Sequence, residues 1–261
     1  VRFLAAVLGV VLVSGCAVNK GTALASDFDD DWRGTPDVAE VLSSGDNALP
    51  FAGTATGELV VADGTGAGRV TQLVGELQKY VTRNKHVTGR LTADRITFTV
   101  VPTATLNTEA LALWQSLAAD DRVLEADLDQ SDAGDLVRRR FTVTAGDPDT
   151  VMDVFHDMVA DGGRHEPLRE VQSLTVMTGP RVRPYLYVQT DQKGNVPEPQ
   201  ILAYEAVRSE FEVPHASVRA DVQAGSIVRI MVAPGDVAAA TEVARRAAPG
   251  LGTSLRVSDH P

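Results

Sequence analysis

Few residues of this 261-residue chain are of types that could do chemistry, and fewer are spaced to do it. There is one cysteine, Cys16, so an internal disulfide is impossible and its thiol is either a stray group or a modified one. No GxSxG nucleophile elbow occurs, and no second thiol stands elsewhere for covalent catalysis. The histidines scatter. His156 lies between Asp153 and Asp157 on the polar side of a helical stripe, and His165-Glu166 runs into Pro167 without the second histidine of a zinc HExxH helix. His86, His215 and His260 stand alone and are expected at the surface. Asp63-Gly64-Thr65-Gly66-Ala67-Gly68 follows a strand-like run and opens a helix, but its spacing is GxGxG, not GxGxxG, and it reads as a flexible strand–helix turn. Asp27, Asp29 and Asp31 copy the first ligand positions of an EF-hand loop; Trp32 then stands where glycine is needed and Val38 where the bidentate glutamate is needed. Asp127, Asp129, Ser131 and Asp132 read as an acidic hairpin turn. No catalytic residue, metal site or cofactor is expected.

Cys16 has a context that the other residues lack. Arg2 precedes an uninterrupted run of apolar residues and glycine from Phe3 to Val13. The run suits a signal-peptide core and is well short of the roughly 20 apolar residues that a spanning helix needs. It ends in Val13-Ser14-Gly15-Cys16, which resembles the lipobox of bacterial lipoproteins. The resemblance implies that residues 1–15 are a signal peptide cut before Cys16. It also implies that the Cys16 thiol carries a diacylglyceryl group and that the protein faces the extracytoplasmic side of the cell membrane. At about 0.8 kcal/mol per buried methylene, a two-chain lipid holds a protein at a membrane without any spanning segment.

Composition limits the partners. Lys+Arg number 24 against 35 Asp+Glu, a formal net charge of −11, which argues against nucleic acid and against attraction to anionic lipid. Hydrophobic residues make up 44%, normal for a globular chain, but aromatics only 5%, so the core must be built mostly of Val, Leu and Ala.

The elements that would position any site follow from periodicity. Residues 16–55 lack it and are rich in Gly, Ser, Thr, Asp and Pro; they read as a flexible acidic tether with at most a helical turn from Val38 to Leu42. From Gly57 onward a strand, an amphipathic helix, a second strand and a tight turn recur about every 40 residues, with first strands near Glu58, Arg95, Arg139, Arg183 and Ser226. Val70, Leu73, Val74, Leu77, Tyr80 and Val81 form one helical stripe; Leu111, Trp114, Leu117 and Ala118 the next, behind a cap at Asn107 or Thr108; and Val151, Val154, Phe155, Met158 and Val159 the third, entered through Asp147-Pro148. The strands alternate: Ile96, Phe98 and Val100 oppose Arg95, Thr97 and Thr99; Arg139, Phe141 and Val143 oppose Arg138, Arg140, Thr142 and Thr144; Leu186 and Val188 oppose Tyr185, Tyr187 and Gln189. A sheet buried on one face is expected, with helices on that face only.

These features define an α+β chain of tandem βαβ units, grouped as ferredoxin-like βαββαβ modules with an antiparallel or mixed sheet. The expected divisions are a first module over 56–136 and further units over 137–261. The open face carries the candidate interaction residues Arg95, Arg138, Arg140, Tyr185 and Tyr187, types favoured as interface anchors. The expected role is binding or scaffolding outside the cytoplasmic membrane, non-enzymatic, with the membrane (through the lipid on Cys16) and other envelope proteins as partners. The alternatives are a carrier of lipid or another small molecule between helices and sheet and, less favoured, a hydrolase using dispersed acidic residues.

Overall fold

The computed structural model describes residues 19–49, 52–133, 136–160, 163–165, 171–220 and 227–260. Cys16 and the signal-like run before it lie outside the described residues. Among those described, eleven strands form one mixed sheet in strictly sequential order. The helices α1 (Lys20–Trp32), α2 (Ala67–Arg83), α3 (Ala104–Ala118), α4 (Pro148–Val159), α5 (Glu198–Glu210) and α6 (Val237–Ala247) alternate with pairs of strands. The strands are β1 (Val38–Leu49), β2 (Ala52–Val61), β3 (Val87–Ala93), β4 (Ile96–Val100), β5 (Val123–Ala133) and β6 (Leu136–Ala145), then β7 (Ser173–Thr178), β8 (Tyr185–Gln189), β9 (His215–Arg219), β10 (Ile227–Met231) and β11 (Leu255–Ser258). No helix among the described residues is long and apolar enough to cross a membrane.

Hairpins join the antiparallel pairs, such as β3 with β4, and helices join the parallel pairs, such as β2 with β3. Each crossover lands on the adjacent position. This corrects the ferredoxin-like grouping: such a module is a split βαβ, whose crossover leaves room for another strand. Here the described strands form one continuous sheet, in which β5 pairs with β6.

The register carries the covered face across the sheet: Gly57 pairs Gly89, Leu59 pairs Leu91, Leu91 pairs Phe98, Phe98 pairs Leu128, Leu128 pairs Phe141 and Phe141 pairs Leu174. Val176, Val188, Val218, Val228 and Leu255 continue it, again in register. All but half-buried Leu255 are buried, and the apolar ones form a single core with the helical stripes read from sequence, except Ala118 of α3, which is exposed. Asp147 caps α4 as expected, accepting from the Thr150 N–H at 2.9 Å. The α3 start differs. Thr103 is its N-cap, and Asn107 lies inside, buried, with its amide bonded to both the N–H and C=O of Val101.

The described part of the segment expected as a tether is helix and strand: α1, β1 and the start of β2. Gly21, Ala25, Phe28 and Trp32 make a buried stripe on α1, and it rests on glycines of the first hairpin. A Cβ on Gly45 or Gly53 would stand 2.3 or 2.1 Å from Gly21 backbone, and one on Gly57 would meet the Phe28 ring at 2.5 Å. Asn47 of β1 accepts from the Gly21 N–H at 2.8 Å and donates to Thr22 Oγ1 at 2.9 Å, so β1 supplies the helix with its N-terminal partner. Residues 38–42 are strand, not a helical turn. Asp27, Asp29 and Asp31 ride on α1, where Asp29 pairs with Arg33, rather than forming a loop.

Candidate functional site

Alternation sends the other set of side chains to the face that no helix covers. Arg140 pairs Ser173, Gln189 pairs Arg219, Tyr187 pairs Ser217 and Ser217 pairs Arg229, which in turn pairs Arg256. Among the described strand residues, the open face of β6 to β11 therefore bears five guanidinium groups, from Arg138, Arg140, Arg219, Arg229 and Arg256, and no carboxylate. Among the described residues, no ion pair engages Arg138, Arg140, Arg229 or Arg256.

Aromatic side chains floor this basic half. Tyr185 stacks on His215 with ring centroids 4.8 Å apart and planes 21° apart. The Arg183 guanidinium lies 5.9 Å from the Tyr185 ring centre and that of Arg219 lies 5.8 Å from Tyr187. Burial raises the Tyr185 pKa above the ordinary phenol value, with the neighbouring Tyr187 adding to it. Burial also lowers the His215 pKa, helped by Arg183, so the stacked imidazole is neutral at pH 7 and acts as a flat apolar surface. Two adjoining depressions result, sharing Arg219: about 520 Å³ between Arg138, Arg140 and Gln189, and about 460 Å³ between Tyr187, Arg229 and Arg256. Both lie on the open face, not between helices and sheet where a lipid carrier would hold its cargo.

Of the expected interaction residues, Arg138, Arg140, Tyr185 and Tyr187 share this half. Arg95 does not. It sits with Asp94 in the β3–β4 turn at φ 67°, beside Trp114 and Gln115 of α3. Turn geometry overrides the alternation that would otherwise align it with Thr97. Arg139 points to the covered face, buried, where it is paired with Glu109 of α3. Arg219 and Arg256 belong to short strands with only two apolar residues each, and Arg229 to a strand, Ile227–Met231, that is apolar on both faces, so period-2 alternation gives a weak signal for all three.

His165 is the centre of a separate polar cluster. It is fully buried, and its Nε2 lies 2.8 Å from Asp120 Oδ2 while Nδ1 lies 2.8 Å from Ser116 Oγ. Burial pushes the Asp120 carboxyl up, but hydrogen bonds from the Arg122 side chain and backbone and from His165 outweigh it and hold the pKa well below the ordinary range. Hydrogen bonds to Asp120 and Asp157 in turn raise that of Arg122. The order Ser–His–Asp has the outline of a hydrolytic triad. Its setting is wrong for acyl transfer: Ser116 stands in the last turn of α3, where unpaired groups are carbonyls and the helix dipole is negative, so an oxyanion would be repelled there. The hydroxyl is also within 3.0 Å of the Arg164 carbonyl. The cluster ties the loop after α4 to the end of α3. A histidine 49 positions from its serine leaves no local sequence signal.

His156 is exposed, as expected of a polar helix face, and the described residues hold no group of three or more metal-ligating side chains. Gly64 takes φ +78° in the turn before α2, the conformation that glycine adopts without strain. Asp127 and Asp129 of the acidic strand end bond Arg90 and Thr99. Comparison with protein-family models, with curated proteins and with solved structures finds no match.

Proposed function

We propose that this is a non-enzymatic, lipid-anchored protein of the cell envelope that works by binding, with the basic half of the open sheet face as its docking surface. The observation that carries the reading is the set of five arginines that share a sheet face with Tyr185 and Tyr187, with no carboxylate on that face among the described residues of those strands, on a chain of net charge −11. Gathering like charges raises self-repulsion in an isolated molecule, and an anionic partner relieves it. Arg offers a planar, pre-organised fork of donors and Tyr a planar, partly apolar ring, the character of interface anchors. The anchor reading rests on Val13-Ser14-Gly15-Cys16, whose lipid would keep the body outside the cytoplasmic membrane.

The test uses a polyanion probe. Dextran sulfate should bind the purified protein at low salt, and Arg138→Ala with Arg140→Ala and Arg229→Ala should weaken it by about 10-fold or more, since each lost contact also reduces counterion release. Equal binding by the triple variant would refute the docking surface.

A further inference from the structure

The open face has a second half, of opposite sign. On β1 to β5 it bears six carboxylates, those of Glu40, Asp46, Glu58, Glu125, Asp127 and Asp129. One guanidinium accompanies them: Arg90, bonded to Asp127 at 2.9 Å and 3.7 Å from Glu58. One face of one sheet thus runs from net negative at its β1 edge to net positive at its β11 edge. We infer that the anionic partner of the basic half is the acidic half of a second copy of this chain, in a face-to-face dimer with two-fold symmetry. The inference rests on the proposal that the open face is the docking surface.

Geometry selects the symmetry axis. An axis across the strands would lay β1 on β1 and oppose like charges. An axis parallel to the strands, passing near β5 and β6, lays the β1–β5 half of each copy on the β6–β11 half of the other, so that every contact occurs twice. Rotation about that axis also preserves strand direction at each point, so the twists of the two sheets match and the faces stay in contact along their length. It leaves both α1 N-termini on the same side of the dimer, which is what anchoring both copies in one membrane requires.

The size is adequate. Eleven strands at about 4.8 Å, each contributing about 17 Å of length, present about 850 Å² per copy, or about 1,700 Å² in all, the extent of a standard stable interface. An anionic membrane fits less well. Laid over the basic half, it would meet the acidic half on the same plane and be repelled by it. Two copies, each of net charge −11, also repel in every register but the matched one, which makes the pairing specific.

The test is a charge swap read by sedimentation equilibrium of the purified full chain in non-ionic detergent, with far-UV circular dichroism as a check on folding. Wild type should be a dimer at low salt and dissociate as salt rises. Reversal of the basic half (Arg140→Glu, Arg229→Glu, Arg256→Glu) should weaken dimerisation by about 100-fold, as should reversal of the acidic half (Glu40→Arg, Glu125→Arg, Asp129→Arg). The two variants mixed should form a heterodimer. Wild type that stays monomeric at all salts overturns the dimer, as does failure of the folded variants to pair with each other. If that monomer still binds dextran sulfate through its arginines, the docking surface survives and only its occupant is wrong; if it does not, both fall. Binding to vesicles of anionic lipid, lost with the arginines, would place a membrane where the second copy is proposed.

Discussion

Gly53→Ala should destabilise the protein by about 3 kcal/mol, although alanine is the better strand residue. The added methyl would stand 2.1 Å from the Gly21 nitrogen and 2.8 Å from its Cα. Both are backbone, so no rotamer change relieves the clash and α1 must move as a unit. Lifting α1 exposes Phe28 and Trp32, now 0% and 6% exposed. At roughly 2–3 kcal/mol for each large apolar side chain, the upper limit is about 6 kcal/mol. Regained chain entropy reduces it, and so does rehydration of the Trp32 indole N–H, which has no partner where it is buried. The assay is urea unfolding followed by circular dichroism, with Trp32 emission read in a Trp114→Phe background, where it is the sole tryptophan. The expected result is a lower midpoint with red-shifted Trp32 emission before unfolding. If residues 16–55 were a tether, the same substitution would be neutral or stabilise by up to about 1 kcal/mol. A midpoint unchanged or raised, with native emission, would refute α1 docking.

Asp120→Asn leaves Arg122 and buried His165 without their shared carboxylate and should cost about 3 kcal/mol at pH 7, measured by denaturant unfolding. Because the native pKa of Asp120 is depressed, the charge contribution is complete above its unfolded value; the gap between wild type and variant should hold down to about pH 4 and narrow below it. Glu109→Gln should destabilise by about 1–2 kcal/mol, discounted because Glu109 is 46% exposed, whereas Arg139→Met, which removes the buried charge itself, should lie within about 1 kcal/mol of wild type by the same measurement. Cys16→Ala should lose the acyl mass seen by intact-protein mass spectrometry and no longer partition with membranes; a variant that keeps both would overturn the lipid anchor.

Legibility followed burial. Helices α2 to α4 carry Leu, Val and Phe at helical spacing because they cover a sheet of large side chains, and their stripes stand out from sequence. The α1 stripe is Gly21, Ala25, Phe28 and Trp32 among aspartates, half of it too small to register as apolar. Its complement on β1 and β2 is glycine, which reads as flexibility until the close approach is seen. The period-2 pattern sorted Arg138, Arg140, Tyr185 and Tyr187 to one face, but it could not see that Arg95 falls in a turn. Strand order was beyond reach, since hairpins and crossovers of these lengths also suit a split βαβ. So was the approach of Ser116 to His165, which depends on where the loop after α4 meets the end of α3.

The topology leaves one face bare of necessity. Each hairpin reverses the chain and each helical crossover restores its direction, so every crossover starts from the same kind of strand: β2, β4, β6, β8 or β10. Each steps toward β11, and a right-handed connection stepping the same way lays its helix on the same face. Adding units lengthens the sheet without covering its other side. Side chains there take no part in the core, so folding asks only that they be polar enough to stay wet, and a mixture of Thr, Ser, Lys and Glu would serve. What stands there is instead largely segregated by sign, with every open-face arginine but Arg90 beyond β5 and the carboxylates before β6. Within one molecule that separation leaves only Glu58 with Arg90 and Asp129 opposite Arg140 as directly paired opposite charges, where mixing would supply more, each about 0.2–1 kcal/mol. A pattern that weakens the monomer and complements itself on rotation is accounted for by contact between molecules.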